Sequence, residues 1–267
     1  MERSSTPLLD RDLFRPVAGF IDVVADVVGF LQGLFTSLRI ARPRFTDVLA
    51  ATKDVVRTGF RPVILVSFPF GMSFGLFFES LLGLLGMRSL GSAALVPAVI
   101  REEGPLVAGA VGAATFGAAI CADIGSRKVR DELDAMMMMA VDPRARLYTP
   151  RILGAIIGCL ILSVFSTMAG LSGGWFLIVL LRDTSSGQFL MGIEILMEPS
   201  DVYWLLVKGL AMGMIVGISA CYCGSRAEGG PAGVAAAVRR SILASFPIIV
   251  FSSFVVNQLV WGSSAPI

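Results

Sequence analysis

Histidine is absent from the 267 residues of this chain. Its absence removes the commonest general base and metal ligand, and with it every Ser-His or Cys-His catalytic pair. Charge is scarce too. Asp, Glu, Lys and Arg make up 16% of the residues, where soluble domains carry about 25%. The net charge is only +2 and no basic tract occurs, so nothing points to nucleic acid as a partner. No Gly-x-x-x-x-Gly-Lys-Ser/Thr loop is present, which excludes ATP hydrolysis by that route. The N-terminal MERSSTPLLDRD has no compact apolar core and does not read as a cleavable signal peptide. Cysteine is sparse: Cys121, Cys159, Cys221 and Cys223 fall in or beside apolar runs. They read as buried, inert thiols, the Cys221-x-Cys223 spacing being a weak metal or disulfide signal. The alternation of a transmembrane barrel is missing.

What the chain has instead is apolar length. At 55% hydrophobic residues and a mean hydropathy of +0.79, several runs reach the roughly 20 residues a helix needs to cross a bilayer. The expected fold is an all-α polytopic membrane protein with five transmembrane helices over about 62–86, 93–122, 152–181, 204–223 and 241–261. A polar start at 1–12 precedes a helix near 14–40. There Val17, Phe20, Ile21, Val24, Val28, Leu31 and Phe35 recur at helical spacing, while Asp22, Asp26 and Gln32 break the run. That pattern suits an N-terminal interfacial amphipathic helix. Arg42, Arg44, Lys53, Arg57 and Arg61 follow, placing a polar N-terminal and interfacial-helix region over 1–61 and the five membrane spans over 62–267. Basic residues cluster after spans two and four: Arg127, Lys128, Arg130, Arg144 and Arg146, then Arg226, Arg239 and Arg240. The positive-inside rule makes those loops and the N-terminus cytoplasmic and the C-terminus external.

The sharpest polarity change lies between Ala98 and Arg151. Arg101, Glu102 and Glu103 stand directly before a small-residue run, and charges inside a span are costly unless paired or facing a cavity. Lys208, in span four, is the opposite charge within reach, so Glu102 and Lys208 are expected to face the interior together near Arg101. Glu102 and Glu103 diverge by about 100° on a helix and cannot share one partner equally. The alternative places Arg101–Glu103 simply at an outer interface. At the other end, Ser126 is a candidate N-cap, followed by Arg127, Lys128, Arg130, Asp131, Glu132 and Asp134. These charges could pair along a short helix. Leu133, Met136 and Met137 give that helix an adaptable apolar edge. It reads equally as a cytoplasmic docking surface and as a solvated loop. The small residues of span two, Gly109, Gly112, Ala113 and Gly117, favour tight helix contact.

REEGP at 101–105, AxxCADIGSRKVRDELDAM from Ala118, MAVDPRARLYTPR up to Arg151 and a later GGPAGV closely resemble the MlaE/YrbE permeases, the actinobacterial YrbE branch most of all. These are membrane subunits of ABC transporters that move lipids together with Mce proteins. Glu103, where an uncharged residue is usual, and the run of four methionines depart from the pattern. The resemblance implies that residues 126–140 form a coupling helix docking onto a separate cytoplasmic ABC ATPase, which binds the ATP. No cofactor is held by this chain, whose role is transport rather than catalysis. Arg101, Glu102, Glu103 and Lys208 would lie at or near the lipid cavity. A second YrbE-like permease would form a heterodimer, Mce-family proteins would meet the external face, and the site would be the inner membrane. A lipid-modifying enzyme or a non-transporting scaffold are the competing classes.

Overall fold

The computed structural model describes residues 25–34, 36, 44–86, 91–181, 186–187, 189, 191 and 197–260. The polar start at 1–12, the links at 87–90 and 182–185 and the C-terminal tail lie outside the described residues. Helix is the only regular structure among those described, and five helices are long and apolar enough to cross a membrane. In chain order the elements are α1 (Ala25–Leu34), α2 (Phe45–Leu84), α3 (Ala93–Val129), α4 (Glu132–Met138), α5 (Arg144–Leu180), α6 (Pro199–Gly224) and α7 (Gly230–Val260).

Four of the spans begin or end well beyond the apolar run that predicts them. α2 starts seventeen residues before Pro62 and runs unbroken through the expected division between 61 and 62. Its basic residues therefore ride on the same helix as the span. α3 continues past Ala122 to Val129, because Asp123 accepts from Arg127 one turn on (3.2 Å) and from Arg151 of α5. α5 begins at Arg144 directly after Asp142-Pro143; the Asp142 carboxylate accepts from the Arg144 N–H at 2.9 Å, and proline suits the first helical turn. After span four the glycine-rich GSRAEGGPAG is non-helical only over 225–229, and α7 already begins at Gly230. Only Gly229 and Gly230 adopt positive φ, at 82° and 74°, so Arg239 and Arg240 are helical residues.

α2 and α5 make the most extensive helix pair, and α5 also packs on α6, which packs in turn on α7. Close approach of α2 and α5 explains the small residues of α5. A Cβ on Gly71 would sit 1.9 Å from the Gly170 carbonyl oxygen, so here backbone packs on backbone. The glycines of α3 serve contact as well: Gly109 faces Met212 and Ile249, and Gly117 faces Val216. The central core is built from Phe116, Leu162, Met212 and Ile249, all fully buried. Cys121, Cys159 and Cys221 are buried free thiols and Cys223 is half-buried.

α1 docks on the bundle end that also carries α4. Phe30 meets Tyr148 and Tyr222 at centroid distances of 5.9 and 5.7 Å, and Asp26 pairs with Arg226 at 2.8 Å. Leu34 is buried in the main core. The inner face of α1 is thus covered by protein.

Candidate functional site

The first charged group begins with a local irregularity. Pro97 lies inside α3 and has no N–H to give, and just after it the helix widens into a π-turn over Val99–Glu103. Such turns insert one extra residue and reorient the side chains around them. Glu102 is thereby directed towards α6 and α7. Its carboxylate accepts from Lys208 Nζ at 3.0 Å, from Ser253 Oγ at 2.9 Å and from the Asn257 side-chain amide. Lys208 also donates to the Arg101 carbonyl oxygen and to Asn257 Oδ1. An ammonium has three donors, and these three acceptors match them. Lys208 is wholly inaccessible while Glu102 keeps 37% of its side chain exposed, so Glu102 is the face this network shows to its surroundings.

Arg101 turns to a different partner. Its guanidinium grips Asp201 through Nε (2.7 Å) and Nη2 (3.1 Å), a two-point geometry that fixes orientation as well as charge. Asp201 is fully buried and simultaneously accepts from the Glu198 N–H at 3.1 Å, closing a capping box at the start of α6. One carboxylate therefore anchors α6 and neutralises Arg101. Two cations and two anions balance within the cluster, so the buried Lys208 and Asp201 each have an opposite charge beside them.

Glu103 does not join them. It is 2% exposed and neither carboxyl oxygen has a hydrogen-bond partner. It points into the packing between α3 and α5, where a Cβ on Gly170 would lie 2.2 Å from Glu103 Oε2. Gly170 is what makes room for it.

At the far end of α3, on the order of 40 Å away at 1.5 Å per residue, lies the second charged group. Ser126 is not an N-cap: it sits inside α3 and its hydroxyl donates to the Asp123 carbonyl (2.9 Å). The helix breaks instead at Arg130 and Asp131, the latter in left-handed conformation at φ 57°. Across this break Lys128 pairs with Asp134 (2.9 Å), Arg130 with Glu132 (2.9 Å) and Arg127 with Glu132 (3.4 Å). The charges thus hold α4 against the end of α3 rather than lining up along one helix. Leu133 is buried and Met136 half-buried, whereas Met137, Met138 and Met139 are exposed, Met138 to 90%. The outward surface is methionine.

The sequence that builds these two charged groups has relatives among known proteins. The sequence profile described as Permease MlaE matches residues 48–259. The chain belongs to the MlaE permease family. Among similar proteins, a probable ABC transporter permease protein of Rickettsia prowazekii is 31% identical over 165 residues, covering 62% of this chain and 64% of the relative. The intermembrane phospholipid transport system permease protein MlaE of Haemophilus influenzae is 27% identical over 199 residues, covering 71% and 76%. The chloroplastic protein trigalactosyldiacylglycerol 1 of Arabidopsis thaliana is 26% identical over 196 residues, covering 70% and 54%. The match thus spans just under two thirds of the length of the first of these relatives.

As an MlaE-family permease with five membrane-crossing helices, the chain is a multi-pass membrane protein. Both charged groups lie within the matched region. Of the residues expected at the first group, the structure unites Arg101, Glu102 and Lys208 and sets Glu103 apart. Three partners had gone unnoticed: Asp201, Ser253 and Asn257. Asp201 lies ahead of the span expected from about 204, yet it opens α6. It stands seven residues before Lys208, on the same helical face, and this spacing is the signal that could have revealed it. Among the described residues no cluster of three or more Cys, Asp or Glu is arranged to hold a metal ion.

Proposed function

We propose that this chain is the membrane permease subunit of an ABC transporter that moves lipids across the cell envelope, its energy supplied by a separate cytoplasmic ATPase. The observation that carries this reading is α3. A single span bears the charge cluster at one end and, through the ion-paired break at Asp131, the exposed methionine helix α4 at the other. A motor docking on α4 would pull on the helix that holds Arg101 and Glu102. Family membership and its relatives, an intermembrane phospholipid transport system permease among them, support the substrate class. Residues 126–140 act in this scheme as the coupling region, with Met138 and Met139 at its tip. Arg101, Glu102 and Lys208 form the polar wall of the lipid path.

The same reading places the chain in the inner membrane with α4 and the N-terminus cytoplasmic and the C-terminus external, following the basic residues around α4 and at the start of α7. A second permease beside it and Mce-family proteins on the external face complete the assembly. The lipid would pass between the paired permeases and the Mce proteins as ATP-driven closure of the motor shifts the helices between two arrangements.

The deciding experiment is ATP-driven transfer of a fluorescent phospholipid by the reconstituted complex. Glu102→Gln combined with Lys208→Met removes both charges without stranding either. Transfer should fall about tenfold or more, as expected for functional intramembrane charges, with the ATPase still bound. Wild-type transfer by this variant would refute the role given to the cluster. A complex that hydrolyses ATP but moves no lipid in wild-type form would refute the transport reading and favour a scaffold.

A further inference from the structure

A second site lies at the opposite end of the bundle from Lys208. A cavity of about 430 Å³ opens between the first turns of α2, the last turns of α3 and the start of α5. That is within the size range of small-molecule sites, which begins at about 300 Å³. Its apolar floor includes the buried Phe116 and Ile120. One wall carries Asp47 and Asp54, two helical turns apart on the same face of α2. The opposite wall carries Arg146 and Arg151, and Asp123, already engaged by Arg127 and Arg151, also lines the cavity.

What sets this cavity apart is that charges of both signs in it are unspent. Nearby, Asp26 is paired with Arg226, Lys128 with Asp134 and Arg130 with Glu132. Asp47, Asp54 and Arg146 form no ion pair among the described residues. Arg151 uses Nη2 on Asp123, but its Nη1 is buried and has no acceptor. A buried donor of this kind costs free energy until something accepts from it. A simple anion would meet Arg146 and Arg151 but be repelled by two carboxylates, and a simple cation would meet the reverse. The complement to this cavity carries both charges on one small polar group and has an apolar remainder for the floor.

We propose that this cavity binds the headgroup of a zwitterionic phospholipid, its phosphate on Arg146 and the free Nη1 of Arg151, its ammonium on Asp47 and Asp54, and the first carbons of its chains against Phe116 and Ile120. The site is separate from the Glu102–Lys208 cluster and sits where α2, α3 and α5 leave the membrane beside α4. A lipid held there bridges three helices at the end where the motor acts.

The test uses the full chain purified in detergent, with retained lipid measured by native mass spectrometry. The probes are dioleoylphosphatidylethanolamine, dioleoylphosphatidylglycerol, which has the phosphate but no amine, and inorganic phosphate. Wild type should retain the ethanolamine lipid about tenfold better than the glycerol lipid, a difference of about 1.4 kcal/mol. Asp47→Asn with Asp54→Asn should erase that preference, and Arg146→Gln should weaken retention of both lipids. Ala50→Trp, which plugs the cavity without altering charge, should abolish retention at an unchanged melting temperature. Equal retention by all variants would overturn the site, and so would inorganic phosphate competing as well as lipid. This site rests on the lipid-permease reading, but the two fail differently. Loss of lipid in the Glu102→Gln, Lys208→Met variant alone would place the lipid at the other cluster and leave that reading standing.

Discussion

The two ends of α3 carry similar inventories of Arg, Lys, Asp and Glu, yet they behave as different kinds of structure. At Arg101–Glu102 the partners come from α6 and α7, 100 to 155 residues away, and two of them, Lys208 and Asp201, are fully buried. At Arg127–Asp134 the partners are two to six residues apart and every side chain in the pairs is about one third or more exposed. Water screens the second set more than the first, in which Lys208 and Asp201 are wholly enclosed. The same chemistry therefore fixes the tertiary fold at one end and only shapes a local bend at the other.

The comparison is broken most severely by stranding one buried charge. Lys208→Ala leaves Glu102 without its cation and should lower unfolding stability by on the order of 3 kcal/mol, the usual cost of breaking a buried pair. Unfolding in detergent by a denaturant series would read this loss. The paired Glu102→Gln, Lys208→Met change should recover most of it, because no lone charge remains.

A smaller loss, about 2 kcal/mol, is expected for Gly170→Ala, whose new methyl group must displace the Glu103 carboxyl from a packed interior. Adding Glu103→Ala should relieve the closest contact and leave only that with Val99 Cγ1, so that the double variant is more stable than Gly170→Ala alone. Additive losses in that cycle would show that the two residues do not touch. Glu103→Gln should be neutral or stabilising, since Glu103 has no partner to lose.

At the exposed end, Arg130→Glu or Glu132→Arg alone should change stability by less than about 1 kcal/mol. Exchanging the two residues should leave ATPase co-purification intact, because they pair with each other. Met138→Asp, by contrast, should abolish that co-purification with no stability cost, as Met138 touches little of its own chain. If the charge exchange released the ATPase and Met138→Asp did not, the docking surface would be the charges. The smallest effect is a gain: Ala140 has φ 58°, a conformation that costs a non-glycine residue about 1 kcal/mol, so Ala140→Gly should raise the melting temperature slightly.

The sequence made the helical class, the five spans and the approach of Lys208 to Glu102 legible, because hydropathy and the cost of unpaired intramembrane charge act on single residues. It concealed what depends on the facing helices. Asn257, next to Gln258, looks like an incidental amide in an apolar run until α7 is packed against α3. Asp201 looks like loop because apolarity begins only at Tyr203, although helicity begins at Pro199. Ser126 has the composition of a cap, but Arg151 of α5 supports Asp123 and carries α3 onward past the serine. Glu103 could not be separated from Glu102 by charge. Only the room left by Gly170 shows which way it turns.

The π-turns of α3 carry a consequence for how motion crosses the membrane. Besides Val99–Glu103, a second one occupies Ala113–Gly117, midway along the span. An extra residue in a helix offsets the angular phase of everything beyond it by about 100°. The azimuth of Arg101 and Glu102 relative to Arg127 and Lys128 is therefore set by that mid-span turn rather than by either end. Deleting Thr115 would close it into regular α-helix and leave each end chemically complete but wrongly clocked against the other. Such a variant should separate lipid binding and ATPase binding, both kept, from the mechanical linkage between them.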